Sequence, residues 1–105
     1  MCGIFLSSCK VDNKSLKEIL NRLNSRGPDD LKIRSSNEGT YLFTRLAITG
    51  RNVSAMQPLN KVISEKNDFF LFNGEIYNYK DLNKKLGIKS KNNLSDTIVL
   101  QRLIE

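Results

Sequence analysis

Hydrophobic and polar positions recur with different periods along the chain, and each change of period marks an element. The opening run Cys2-Gly3-Ile4-Phe5-Leu6 is short, apolar and followed by small polar residues, which predicts a strand buried on both faces. Leu16, Ile19, Leu20 and Leu23 then recur at i, i+3, i+4 and i+7. This is the stripe of an amphipathic helix, and Ser15-Leu16-Lys17-Glu18 fits a capping box at its start. The helix is expected to finish near Ser25-Arg26-Gly27-Pro28, because proline disfavours helical geometry at the residue before it; Arg26 to Asp30 reads as a loop. Leu31 to Arg34 alternates with period two, and Tyr41 to Ile48 is aromatic and branched enough for a longer strand. A hairpin about Asn37-Glu38-Gly39 is therefore predicted.

Thr49 to Leu59 carries Gly50, Asn52, Ser54 and Pro58 without a sustained period and reads as an ordered loop. Two further strands are expected, Lys61 to Ser64 and Asp68 to Phe72, turning at Glu65-Lys66-Asn67. Next comes Asn73-Gly74, where the backbone can turn sharply or lie close to a ligand. Lys80 to Leu86 predicts a short helix that Gly87 can cap, and Ser95 opens another with Ile98, Val99, Leu100, Leu103 and Ile104 apolar. That stripe is still running at Glu105, so residues beyond it are expected.

Composition acts by exclusion. With 105 residues, 39% hydrophobic and 27% charged, the chain supports one modest core, read as a single domain over residues 1–105. Seventeen Lys and Arg against eleven Asp and Glu leave +6, enough for loose attraction to polyanions. No stacking motif or groove-entering helix accompanies that charge, and Lys84-Lys85 and Lys89 to Lys91 read as solvated faces, so no specific nucleic-acid partner is expected. The chain has no histidine, which excludes Ser/His/Asp and Cys/His pairs supplied by it and all imidazole metal ligation; no metal site is expected. Cys2 and Cys9 are too few for a disulfide framework, and their odd separation sends them to opposite faces of one strand, so free thiols are expected. No apolar run approaches the roughly 18 residues that span a bilayer. The start MCGIFLSSCK lacks the basic leader of a secretory signal, and the expectation is a cytoplasmic protein without a membrane partner.

Cys2 directly follows the initiator Met, and removing Met1 would place a thiol on the same residue as a free α-amino group. Such an amine titrates at about 7.7–8.0 and can accept the thiol proton directly or through water, so nucleophile and base coincide without imidazole. Read alone, Cys2 is more simply a small buried residue near a terminus.

Its neighbours decide between these readings. MCGIF at 1–5, RGPD at 26–29, RLAI at 45–48, MQPL at 56–59, FNGEIYNY at 72–79 and SDT at 95–97 agree in order and spacing with one family. The chain resembles the glutaminase domain of class II glutamine amidotransferases, the N-terminal nucleophile hydrolases, and FNGEIYNY with RGPD is most similar to the asparagine synthetase branch. The resemblance implies an α+β fold of α/β/β/α layers, of which this chain would hold the N-terminal portion. It also implies that Cys2 attacks the side-chain amide of L-glutamine, expels ammonia and leaves a thioester that water hydrolyses to glutamate.

By the same resemblance the Asn73 side chain and the Gly74 backbone N–H stabilise the tetrahedral oxyanion, a task that needs donors fixed in advance. Arg45 matches the arginine for the substrate α-carboxylate, Asp96 the carboxylate for its α-ammonium, and Glu75 assists at that polar end. Leu46, Ile48 and Thr49 belong to the same substrate wall, and Arg26 supports the Cys2 loop. Each has a plainer reading: a hairpin turn for Asn73-Gly74, a surface arginine for Arg45, a helix N-terminal carboxylate for Asp96, and loop stabilisation for Arg26. Packing and helix capping suffice for Tyr77, Asn78 and Tyr79. Phe43 stands where the family commonly has a histidine, and Gly50 where it often has an acidic residue. No cofactor is implied for this domain; ATP and magnesium belong to a synthetase domain or subunit, the implied protein partner. The alternative is a catalytically inert truncated member that binds glutamine or another protein.

Overall fold

The computed structural model describes residues 1–48, 55–60, 69–89 and 94–104. The chain divides into two compact units, Met1–Ala47 and Ile48–Glu105.

In the first unit, β1 (Gly3–Ser7), α1 (Asn13–Leu23), β2 (Asp30–Ser36) and β3 (Gly39–Arg45) follow in order. The strands form an antiparallel sheet of order β1-β3-β2. Gly3 opposes Thr44 and Ser7 opposes Thr40 on one side of β3, while Asp30 opposes Arg45 and Ser36 opposes Gly39 on the other. The expected hairpin forms, with Asn37 and Glu38 at its turn. Burial concentrates in the central strand: Thr40 to Arg45 are all buried, Leu42 and Phe43 completely. Removing those two side chains from water is worth about 1.5–3 kcal/mol each.

Alternation sends Thr40, Leu42 and Thr44 to the face that carries α1, and Tyr41, Phe43 and Arg45 to the other. Two threonines join the helix and its approach to the sheet. Thr44 Oγ1 donates to the Leu23 carbonyl (3.1 Å) and accepts from Gly3 N (3.2 Å). Thr40 Oγ1 donates to the Cys9 carbonyl (3.0 Å) and accepts from Val11 N (3.0 Å).

Three expectations change here. β1 is not buried on both faces: α1 covers one, and on the other Leu6 is 62% exposed. The helix begins two residues before Ser15: Asp12 is the N-cap, accepting from Ser15 N (2.9 Å) and Ser15 Oγ (2.7 Å). Asp12 thus takes Ser15 N, the donor that the Glu18 side chain would reach back to in a Ser15–Glu18 capping box. Finally, β3 stops at Arg45 instead of Ile48, because Ala47 N donates to the Asp29 carboxylate (2.8 Å) and not to a neighbouring strand. Cys2 and Cys9 carry free thiols, half-buried and exposed respectively.

In the second unit, β4 (Leu59–Asn60) pairs antiparallel with β5 (Phe69–Phe70), and α2 (Tyr79–Leu86) packs with α3 (Asp96–Ile104). The predicted strand at Lys61 to Ser64 and its turn lie outside the described residues. β5 ends at Phe70 where a strand to Phe72 was expected, because the backbone of Phe72 is taken by a side chain, described below. Gly87 caps α2 in the left-handed conformation (φ 65°). Ser95 caps α3, its Oγ accepting from Ile98 N (3.3 Å). Both units are α+β, and no helix among the described residues is long and apolar enough to cross a membrane.

Candidate active site

The thiol lies at one end of the three-stranded sheet. Continuing the β1–β3 register one step past Gly3 and Thr44 sets Cys2 opposite Arg45, and β2 sets Asp30 on the other side of the same arginine. Arg45 and Asp30 therefore share the sheet face opposite α1, the face to which the extended register would send Cys2. Cys2 Sγ accepts from Leu46 N (3.5 Å) and lies 3.9 Å from the Leu46 carbonyl, so the sulfur sits against the backbone where β3 ends. Arg45 is 5% exposed, and its guanidinium donates through Nη1 to the Asp30 carboxylate at 3.4 Å.

That end of β3 is held by the RGPD segment. Asp29 N donates to the Arg45 carbonyl (3.0 Å), Pro28 bridges Arg45 in parallel, and the Asp29 carboxylate receives Ala47 N. Gly27 lies so close to β3 that an added Cβ would stand 2.5 Å from the Thr44 carbonyl carbon and oxygen and 2.6 Å from Arg45 N. Only glycine allows this approach. Arg26 itself is exposed, and its backbone N–H donates to the Leu23 carbonyl (2.9 Å).

The second unit gathers the remaining residues on one short segment. Asn73, Gly74 and Glu75 are exposed, and both flanks of this stretch are tied to buried polar side chains. On the upstream side, Gln57, 3% exposed, accepts from Phe72 N through Oε1 and donates through Nε2 to the Phe72 carbonyl (3.0 Å). Its amide thereby completes the ladder that β5 leaves unfinished. On the downstream side, Asp96, 6% exposed, accepts from Ile76 N through Oδ2 (3.1 Å) and from Thr97 N through Oδ1 (2.8 Å). It stands in the first turn of α3.

The predicted residues are thus distributed over both units: Cys2, Arg26, Arg45 and Leu46 in the first, and Ile48, Asn73, Gly74, Glu75 and Asp96 in the second. Thr49 and Gly50 lie outside the described residues. Cys2, Leu46 and Arg45 are brought together at one strand end, and Asn73, Gly74, Glu75 and Asp96 about one segment. Ile48 is 62% exposed. Gly74 has no positive φ, so its need for glycine is not a sharp turn; an added Cβ would stand 2.8 Å from Cζ of the Phe72 ring. Among the described residues no strand pairing flanks Asn73-Gly74, so the segment is not the hairpin turn of the plainer reading. Tyr77, 87% exposed, has no packing role. Phe43 is fully buried, as an aromatic ring can be at a position where an imidazole would need a polar partner.

Sequence reasoning gave no role to Asp29, Asp30 or Gln57. Asp29 and Gln57 lie inside the motif blocks RGPD and MQPL, which was the available signal. Asp30 is visible only through the β2–β3 register.

Comparison with known proteins places the chain in a family. The family model described as a glutamine amidotransferase domain matches residues 1–105. The chain is 34% identical over its whole length to asparagine synthetase 2 (glutamine-hydrolyzing) of Arabidopsis thaliana, of which it covers 18%. It is 33% identical, over 95% of its length, to a protein of Acanthamoeba polyphaga mimivirus named a probable glutamine-hydrolyzing asparagine synthetase, of which it covers 19%. Asparagine synthetase 3 (glutamine-hydrolyzing) of Bacillus subtilis is 28% identical over 95% of the chain, which covers 17% of it. The chain spans about a fifth of the length of the curated relatives it matches. With the family model matching from Met1 to Glu105, the chain belongs to the glutamine amidotransferase domain family, of the class II kind found in glutamine-hydrolysing asparagine synthetases.

Proposed function

We propose that this chain hydrolyses L-glutamine to glutamate and ammonia with Cys2 as nucleophile, after removal of Met1 has freed its α-amine. The observation that carries the reading is the Cys2 sulfur against the backbone of Leu46, the residue next to the buried Arg45 at the end of β3. A thiol and a carboxylate-binding fork fixed on adjacent strands suit a substrate that must be held at one end and attacked at the other.

In this reading the α-amine takes the thiol proton as sulfur bonds to the amide carbon of glutamine, and the oxyanion is met by the Asn73 side chain and Gly74 N–H. Collapse breaks the C–N bond, and the proton held by the amine leaves with ammonia. Water then adds to the thioester, releasing glutamate and restoring the thiol. Arg45 binds the α-carboxylate, Asp96 and Glu75 the α-ammonium end, and Leu46, Ile48 and Thr49 line the wall, with Arg26 in support. The reading assigns both groups of residues to one glutamine and the fold to the α/β/β/α layering of N-terminal nucleophile hydrolases, in a cytoplasmic protein. Ammonia would pass to a synthetase domain that uses ATP and magnesium for an asparagine synthetase-like transfer; this domain itself would use no cofactor.

The test is intact mass before and after treatment with a diazoketone analogue of glutamine, alongside ammonia release. Loss of the Met mass, one adduct mapped to Cys2, and ammonia release reduced at least about 1,000-fold by Cys2→Ala are expected. Full ammonia release with Met1 retained, or unchanged release by Cys2→Ala, would overturn the reading. Saturable glutamine binding by a processed chain that releases no ammonia would identify a binding module instead.

A further inference from the structure

A side-chain amide that bonds both polar groups of one residue's backbone fixes that residue's position and its plane. Gln57 does this to Phe72, the residue immediately before Asn73. Burial strengthens the hold: Gln57 is 3% exposed, and Ala55, Pro58 and Leu59 around it in sequence are buried as well. In such a site, water does not readily replace a lost partner. No ionisable side chain is hydrogen-bonded to Gln57 among the described residues. Downstream, Asp96 holds Ile76 N, so Asn73, Gly74 and Glu75 are strung between two fixed points while remaining exposed themselves. A short span between fixed ends keeps its donors aimed without burying them.

We propose that Gln57 is a positioning residue for the oxyanion donors Asn73 and Gly74, acting through the Phe72 backbone; this rests on the glutaminase reading above. Donors aimed in advance act on the charge that develops in the transition state, so loosening them lowers kcat more than it raises KM. A merely structural glutamine would cost stability without that split.

Two variants and one activity-independent measurement test this in the purified protein with glutamine as substrate. Gln57→Ala is expected to lower kcat about 10–100-fold with KM changed less than about threefold. Amide hydrogen exchange should quicken over residues 72–74 while Leu42 to Thr44 stay protected. Gln57→Glu keeps the shape of the amide and adds a proton switch. Its protonated carboxyl can donate to the Phe72 carbonyl and accept from Phe72 N, whereas the ionised form loses the donor. The ratio of its kcat to that of the unaltered protein is therefore expected to rise at least about fivefold from pH 8.5 to pH 6, the terminal amine being common to both and cancelling.

A flat ratio, an unchanged kcat in Gln57→Ala, or exchange quickened equally throughout both units would overturn the assignment. If the unaltered protein releases no ammonia from glutamine, the glutaminase reading fails on its own. The hold on the segment is then decided by exchange: unchanged protection at residues 72–74 in Gln57→Ala sinks it.

Discussion

At Gly27 one hydrogen atom stands where a methyl group would meet backbone. The nearest atoms are the Thr44 carbonyl and Arg45 N, neither of which can rotate aside as a side-chain tip can. Gly27→Ala is expected to destabilise the protein by about 1–3 kcal/mol in denaturant unfolding, the usual cost of overfilling a packed site. It should also weaken glutamine binding in the proposed site, since the strand end displaced carries Arg45 and Leu46. Exposed Arg26 next to it is the contrast, and Arg26→Ala should change stability by less than about 0.5 kcal/mol. At this scale the roles proposed for Cys2, Arg45, Asn73 and Asp96 follow from the family resemblance of the motifs that hold them. Their hydrogen-bond partners do not: Asp96 grips Ile76 N and Arg45 faces Asp30, contacts between residues 20 and 15 positions apart. Such pairs follow from packing and leave no local trace.

Element boundaries show which local signal prevailed. For α1 the cap is Asp12, whose carboxyl is held below its ordinary value of 3.8 chiefly by the Ser15 backbone N–H and then by the Ser15 hydroxyl. A carboxyl with a lowered folded value contributes stability above its unfolded value and loses it as pH falls through the folded one. Asp12→Ala should therefore lower the thermal midpoint by a constant amount between pH 5 and 7, and the gap between the two proteins should narrow as the pH drops below 3.8. A gap independent of pH down to 2 would mean that the carboxylate is not the capping group. The helical stripe from Leu16 to Leu23, the hairpin about Asn37-Glu38, and the Gly87 and Ser95 caps were legible because they depend on neighbours within four residues. The ends of β3 and β5 were not, since Asp29 and Gln57 reach them from 18 and 15 residues away.

For the molecule as a whole, the +6 charge and the absence of a groove-reading or stacking motif predict only diffuse attraction to polyanions. Retention on a polyanion support should vanish by about 0.3 M salt and show no preference among nucleic-acid sequences, because screening removes a field that no specific contact supplements. Submicromolar, sequence-selective binding at that salt would contradict this reading of the charge. The α1 stripe, the β2–β3 hairpin, the caps of α2 and α3, and the family were legible in the linear order of residues, because period, capping and motifs are short-range properties. Folding alone decided that the Cys2 sulfur lies against the Leu46 backbone and that two buried polar side chains hold the Asn73–Glu75 segment. Each of these depends on which distant backbone groups are left without partners once the strands have paired, a condition no local window of residues contains.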